Sequence, residues 1–111
     1  MAPKPEPQPA VREPQLDKLV HEPGRLAILT VLASVRDADF LFLLRATGLT
    51  KGNLSSHLRK LEDAELVTVE KRFVGRKPNT NISLTKLGKR RIDEHWAELE
   101  RLRNLPGDLQ Y

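Results

Sequence analysis

The chain has no cysteine. Disulfides, thiolate metal sites and cysteine nucleophiles are therefore excluded, and the composition fits a reducing compartment. No apolar run approaches the roughly 18 residues that span a bilayer. The first residues form no hydrophobic targeting segment. A cytoplasmic protein with no membrane association is expected. Close-spaced metal ligands are also missing, since His21, His57 and His95 are scattered. Only a His or His/carboxylate site shared across a dimer would remain open to a metal. There is no nucleophile–base set and no glycine loop shaped to cradle phosphate, so neither an enzyme nor a cofactor is expected.

One further absence is local. Between Lys71 and Arg91 there is no acid, yet there are eight Lys or Arg. Such a run needs a polyanion or abundant solvent beside it. The whole chain of 111 residues carries a net charge of only +4, with pI near 9.7. The charge is unevenly spread: residues 1–15 are neutral, and residues 92–111 hold five acids against two bases. With 39% hydrophobic and 31% charged residues, one small domain with a modest core is expected.

Prolines at 3, 5, 7, 9 and 14 block helix and sheet, so residues 1–14 read as a disordered tail of extended character. A ligand for a proline-binding module is the sharper alternative. Leu16–Val20 shows helical spacing, interrupted by Pro23-Gly24. Pro23 can start the next helix and Gly24 would loosen the bend. Leu26, Ile28, Leu29, Val31 and Leu32 make an apolar helix ending near Ser34 or Val35. Asp39 is an N-cap or the end of a very short strand. Phe40–Thr47 is the next helix, with Gly48 where a left-handed C-cap is needed. Thr50 caps the helix after it, with Leu49 and Leu54 as a hydrophobic staple. Leu54, Leu58 and Leu61 share one side of that helix, with His57 beside them, packed or hydrogen-bonded.

The other side presents Gly52, Ser56, Arg59, Lys60 and Asp63, with Ser55 at the border. Small and basic residues in the N-terminal half can enter a DNA groove, whereas Glu62, Asp63 and Glu65 would be repelled by phosphate. Leu66–Val74 then alternates, with Val67, Val69 and Phe73 on one face. Gly75-Arg76-Lys77-Pro78 reads as a turn, and Thr80, Ile82 and Leu84 alternate again. This is a β-hairpin with a cationic tip. Thr85 caps a last helix over about residues 86–105, ended by Pro106-Gly107.

These residues together resemble the small stand-alone winged-helix regulators of the MarR/ArsR-like superfamily. The resemblance rests on Arg25–Leu29, Asp39-Phe40, Gly48–Glu62, Val74–Pro78 and Leu84–Gly88, and it covers roughly residues 16–103. It implies an α+β winged helix-turn-helix over residues 15–105 with a long C-terminal helix. It also implies duplex DNA as partner, a recognition helix over 50–65, a wing over 71–81 and dimerisation through the last helix. Two departures stand out. Glu65 occupies a place where glycine is common. Leu41, Phe42 and Leu44 stand where a polar residue is more usual.

The expected DNA-binding residues are Thr50, Lys51, Asn53, Ser55, Ser56, Arg59 and Lys60 on the helix, with Arg72, Arg76 and Lys77 on the wing. Arg59 is the best candidate for a guanine edge. Ser55 and Ser56 could meet phosphate or any base, and Asn53 is lateral on the helix. The wing cations would hold phosphate or reach the minor groove. Of Lys86, Lys89, Arg90 and Arg91, some would lie near the duplex and others would pair with Asp93, Glu94 or Glu98. The surplus apolar face of Phe40–Leu44 marks either contact with the last helix or a partner subunit, centred on Phe42 and Trp96, or burial under residues 16–20. The expected dimer interface is Phe42, Ile92, Trp96, Leu99 and Leu102. A sequence-directed homodimeric transcriptional regulator is the leading reading. A protein-interaction module and a sequence-neutral architectural DNA binder are the rivals. A small-molecule effector has no support in the sequence. If one exists, it would sit at the dimer interface or between wing and last helix.

Overall fold

Three helices, a small sheet and a fourth, longer helix follow one another along the chain. A computed structural model describes residues 12–105. Most of the proline-rich stretch and the Pro106-Gly107 stop lie outside the described residues. The elements are α1 (Pro23–Ala33), β1 (Ala38–Asp39), α2 (Phe40–Thr47), α3 (Lys51–Asp63), β2 (Val67–Val74), β3 (Lys77–Leu84) and α4 (Lys86–Arg103). The sheet is antiparallel in the order β1-β3-β2. This is the expected α+β winged helix-turn-helix with a long C-terminal helix.

Local chemistry sets most of the boundaries. Pro23 opens α1, where its missing N–H costs nothing. The cap is Glu22, whose carboxylate accepts the N–H groups of Gly24 and Arg25 at 2.8 and 3.1 Å. Asp39 is both the end of β1 and the cap of α2, accepting from Phe42 N–H at 2.8 Å. Gly48, at φ 70°, closes α2 in the left-handed conformation. Thr50 and Thr85 cap α3 and α4 by accepting from Asn53 and Gly88.

The core lies where these elements meet. Ile28, Leu29 and Leu32 of α1 join Leu43, Leu54, Leu58, Leu61, Leu66, Ile82 and Ile92, all buried. Each such side chain contributes about 1.5–3 kcal/mol by leaving water. Gly88 is needed for α4 to reach this core, because a Cβ there would collide with the Leu66 carbonyl oxygen. Thr85 Oγ1 donates to the carbonyls of Glu65 and Leu66 at 2.7 and 3.1 Å, pinning α4 to the same corner.

Five expectations are corrected. Leu16–Val20 is not a helix: residues 18–20 turn, because the Asp17 carboxylate accepts from Leu19 and Val20 N–H at 3.1 and 3.3 Å. Gly24 does not loosen a bend but is buried against His57, whose Nε2 would stand 2.6 Å from an added Cβ. The hairpin turn is two residues, with Lys77 and Pro78 already in β3. The last helix stops at Arg103, where the Asn104 side chain takes up the Glu100 carbonyl at 2.9 Å. In α4, Ile92 is in the monomer's own core at 1% exposure, which withdraws it from any interface with a second copy.

At Glu65 the sequence leaves open whether α3 continues or exits differently. The helix ends, and Glu65 takes φ 63°, the sole positive-φ residue other than glycine among those described. Its N–H donates to the Glu62 carbonyl, and Leu66 N–H donates to Leu61, both at 2.9 Å. This is a full Schellman closure with glutamate in the glycine seat, costing roughly 1–2 kcal/mol.

The segment before α1 is strapped to α4. Glu98, 5% exposed at its side chain, accepts from Arg12 at 2.7 Å, from Arg101 at 2.9 and 3.0 Å, and from Gln15 N–H at 2.6 Å. These donors hold its carboxyl well below the usual carboxylate range. Asp17 pairs with Arg91 at 2.8 Å, and His21 Nδ1 lies 3.0 Å from Nε2 of buried His95. Residues 12–14 of the expected tail therefore include Arg12, held on α4.

Candidate nucleic-acid interface

The amphipathic spacing of α3 buries Leu54, Leu58 and Leu61 and turns Lys51, Gly52, Asn53, Ser55, Ser56, Arg59 and Lys60 to solvent. The helix is held from behind by His57. Arg25 Nη1 lies 3.2 Å from His57 Nδ1, and Glu22 Oε2 lies 3.4 Å from Nε2. A guanidinium only donates, so Nδ1 accepts and the proton sits on Nε2, facing the carboxylate. Of the two roles open to His57 from its place on the helix, packed or hydrogen-bonded, it fills both.

The hairpin stands beside this helix. Its register pairs Val67 with Leu84, Val69 with Ile82, Lys71 with Thr80 and Phe73 with Pro78. Directly opposed residues share a face. The face that begins in the core at Val67 and Ile82 therefore continues outward through Lys71 and Thr80. These two join Phe40, Ser55, Leu58, Arg59, Glu62 and Val69 around a cleft of about 260 Å³ between α3 and the sheet. Two of the expected DNA-binding residues, Ser55 and Arg59, thus meet a wing cation across one cleft. Lys71 opens the expected wing of residues 71–81 but is not among the individually expected DNA-binding residues. The alternation of β2 gives it the face of Val67 and Val69, and the fold turns that face to α3.

Arg72, Arg76 and Lys77 lie further along the hairpin, all exposed. Arg72 Nε donates to Asn79 at 3.3 Å, which aligns it along the opposite face. That face and the N-terminal end of α2 bound a second, larger cleft of about 630 Å³, lined in part by Val35, Leu41, Phe42, Val74 and Pro78. Phe42 is 47% exposed. It faces this wing cleft and is not covered by residues 16–20, contrary to the monomer-burial alternative. Thr50 is placed as the α3 cap, and Asn53 is exposed in the first turn.

Ion pairing distinguishes these cations. Among the described residues, no ion pair is formed by Lys51, Arg59, Lys60, Lys71, Arg72, Arg76 or Lys77. On α4 the opposite holds: Lys89 pairs with Asp93 at 2.7 Å and Arg90 with Glu94 at 4.0 Å, as expected on one helix. Arg91 reaches off the helix to Asp17, a partner invisible to local spacing. Glu62 is the acid of the α3 cleft, toward the C-terminal half of the helix.

No helix among the described residues is long and apolar enough to cross a membrane, and no cluster of potential metal ligands occurs among them.

Residues 25–103 match the family model of the winged helix DNA-binding domain. The chain is 32% identical over 72 residues to an uncharacterized protein of Methanocaldococcus jannaschii, covering 65% of this chain and 78% of that one. It is similar to the structure of a transcriptional regulator homologue from Pyrococcus horikoshii OT3. There the identity is 30% and the TM-score 0.74, over 78% of this chain and 86% of that one. A MarR family transcriptional regulator from Silicibacter pomeroyi shares the fold, with a TM-score of 0.65 at 20% identity, over 78% of this chain and 57% of that one. The cap pattern, the exposed face of α3 and the basic hairpin thus coincide with one matched region of the chain. This protein belongs to the winged helix DNA-binding domain family.

Proposed function

We propose that the protein binds duplex DNA with sequence preference, as a homodimer that regulates transcription. The observation carrying this reading is the unpaired state of the α3 and wing cations. Seven basic side chains that form no ion pair among the described residues make a ready site for phosphates. In this reading the N-terminal half of α3 enters the major groove. Arg59 reads a base edge, and Lys51, Ser55, Ser56 and Lys60 contact base edges or backbone. Asn53 lies to the side. Thr50 serves by capping the helix. Lys71, Arg72, Arg76 and Lys77 follow the flanking backbone toward the minor groove. Glu62 at the far end of the cleft keeps the C-terminal half of α3 out of the groove.

The dimer is formed through α4. Trp96 is 45% exposed, Leu105 is 40% exposed, and Leu99 and Leu102 are partly exposed, more apolar surface than a free helix face needs. Two recognition helices would then meet half-sites about one turn apart, roughly 34–36 Å. Similarity to a transcriptional regulator homologue supports the regulatory role, and membership of a DNA-binding domain family supports a binding protein over an enzyme. A cytoplasmic location is consistent with a DNA-binding protein. No effector, cofactor or metal is required by this reading.

The test is capture of fragmented genomic DNA by the purified full-length chain at about 0.15 M salt, where screening acts within about 8 Å. Enrichment of a two-fold symmetric site, with a dimer mass in solution, is the expected result. Retention without enrichment would make the protein a sequence-neutral binder. No retention would overturn the DNA reading and favour a protein partner at the α2 cleft.

A further inference from the structure

Phe73 is 72% exposed, more than any other large hydrophobic residue among those described, and Val74 beside it is 60% exposed. An aromatic ring held in water is unfavourable. It sits between Arg72 and the Arg76-Lys77 tip, none of which is ion-paired among the described residues. Its cross-strand partner is Pro78. The pair next to a two-residue turn's closing pair lacks ladder hydrogen bonds, so these two side chains stand close together and Pro78 needs no N–H there. By register they continue the row of Lys71 and Thr80 outward beyond the α3 cleft, and Pro78 also borders the larger cleft on the other side of the hairpin. Gly75, at φ 65°, keeps the tip to two residues and hence two strands wide.

A partner for this tip must offer negative charge on both sides of an apolar surface. An apolar protein surface lacks the first, and a lone phosphate lacks the second. The duplex minor groove has both: phosphate walls, with deoxyribose and stacked bases between them. It is about 6 Å wide, and two strands are about 4.8 Å apart before side chains are added. The tip cannot enter without widening the groove. That cost is lowest at flexible pyrimidine–purine steps.

We infer that Phe73, seated beside Pro78, is an apolar wedge that opens the minor groove next to the half-site read by α3. It thereby selects a flexible step there without any base hydrogen bond. The inference rests on the DNA reading above and adds a second, independent source of sequence preference.

The experiment uses the full chain and the duplex it captures. If no site is enriched, an A-tract duplex with a single central TA step serves instead. 2-Aminopurine is placed at each step flanking the α3 half-site. Binding should raise the fluorescence at one pyrimidine–purine step. Replacing that step by a stiff AA step should weaken wild-type binding by about tenfold, the scale of one lost base-stacking contact. Phe73→Ala should abolish the fluorescence rise, bind the TA duplex about tenfold more weakly, and no longer distinguish TA from AA. Phe73→Leu should keep part of each effect. The melting temperature should not move, since the side chain packs on nothing in the monomer's core.

Unchanged fluorescence and unchanged TA/AA preference in Phe73→Ala would overturn the wedge. A fall of Phe73→Ala from dimer to monomer would overturn it too, by making Phe73 a subunit contact. If the wild type bound neither duplex, the DNA reading itself would have failed, an outcome distinct from both.

Discussion

The cations of α3 and the wing and those of α4 are nearly equal in number and are held in opposite ways. The first group, seven residues, forms no ion pair among the described residues. In the second, five of six are ion-paired: Lys89, Arg90, Arg91, Arg101 and Arg103, with Lys86 the exception. The acid-free run from Lys71 to Arg91 joins the two groups and looks uniform in the sequence. Folding divides it at Thr85. Before the cap, the alternation of β2 and β3 disperses cations over both faces of a hairpin that carries few acids. After it, the 3.6-residue period brings Asp93 and Glu94 back over Lys89 and Arg90. A basic run therefore marks a site only where the geometry withholds local partners. Lys18, Arg36 and Arg45 also form no ion pair among the described residues, but they are scattered over three separate segments.

Substitutions on the two sides should separate cleanly. Arg59→Ala, on the unpaired side, should cost about 1–3 kcal/mol of binding to the preferred site and much less to other sequences. Competition binding with single-base variants of the site checks this, and equal losses on every sequence would remove the base-reading role. Asp17→Ala, on the paired side, strips Arg91 of its partner and two backbone N–H groups of their cap. It should lower unfolding free energy by about 2 kcal/mol in a urea titration, with unchanged DNA affinity per folded molecule.

Glu65→Gly, at the corner between α3 and β2, relieves a left-handed glutamate. It should raise unfolding free energy by about 1 kcal/mol while leaving the salt dependence of binding as it was. The mildest perturbation is acid. Burial, followed by the neighbouring His21, holds His95 below its ordinary 6.5, although Asp17 and Glu98 pull the other way. The unfolded chain therefore takes up this proton before the folded one. Stability falls as pH drops through 6.5 and stops falling once the folded group is also protonated. Thermal melts from pH 7.5 downward read this directly.

Much of the fold is legible in the sequence because its punctuation is local. Asp39, Gly48, Thr50 and Thr85 each act through an atom a few residues away, so their side-chain chemistry places the helix ends. The Leu54-Leu58-Leu61 stripe and the hairpin alternation carry their periods openly. What the sequence hides depends on contacts distant along the chain. Leu16–Val20 has helical spacing, but Asp17 is committed to Arg91, 74 residues away, and its turn. In α4 the apolar pattern points to Ile92, Trp96 and Leu99, whereas the buried positions include Ile92, His95 and Glu98. The strap that covers them brings Arg12 and His21 from the other end of the chain, turning a polar flank inward. The same limit applies to the site: helix angle and strand alternation set Ser55, Arg59 and Lys71 on their faces, but only the fold brings those faces together around one cleft. The alternation of β2 sets Phe73 on the inner face of the hairpin with Val67 and Val69. It lies there by register, but the core ends before reaching it.

The most direct test of the central claim compares two double substitutions by the salt dependence of DNA binding. If the wing cations are unpaired because they await phosphate, Arg76→Ala with Lys77→Ala should flatten the slope of log K against log salt by about 1.8. Binding at 0.15 M should then weaken by about 30-fold. Lys89→Ala with Arg90→Ala should leave the slope unchanged, since those charges are already paired. Equal flattening by both pairs, or by neither, would contradict the account.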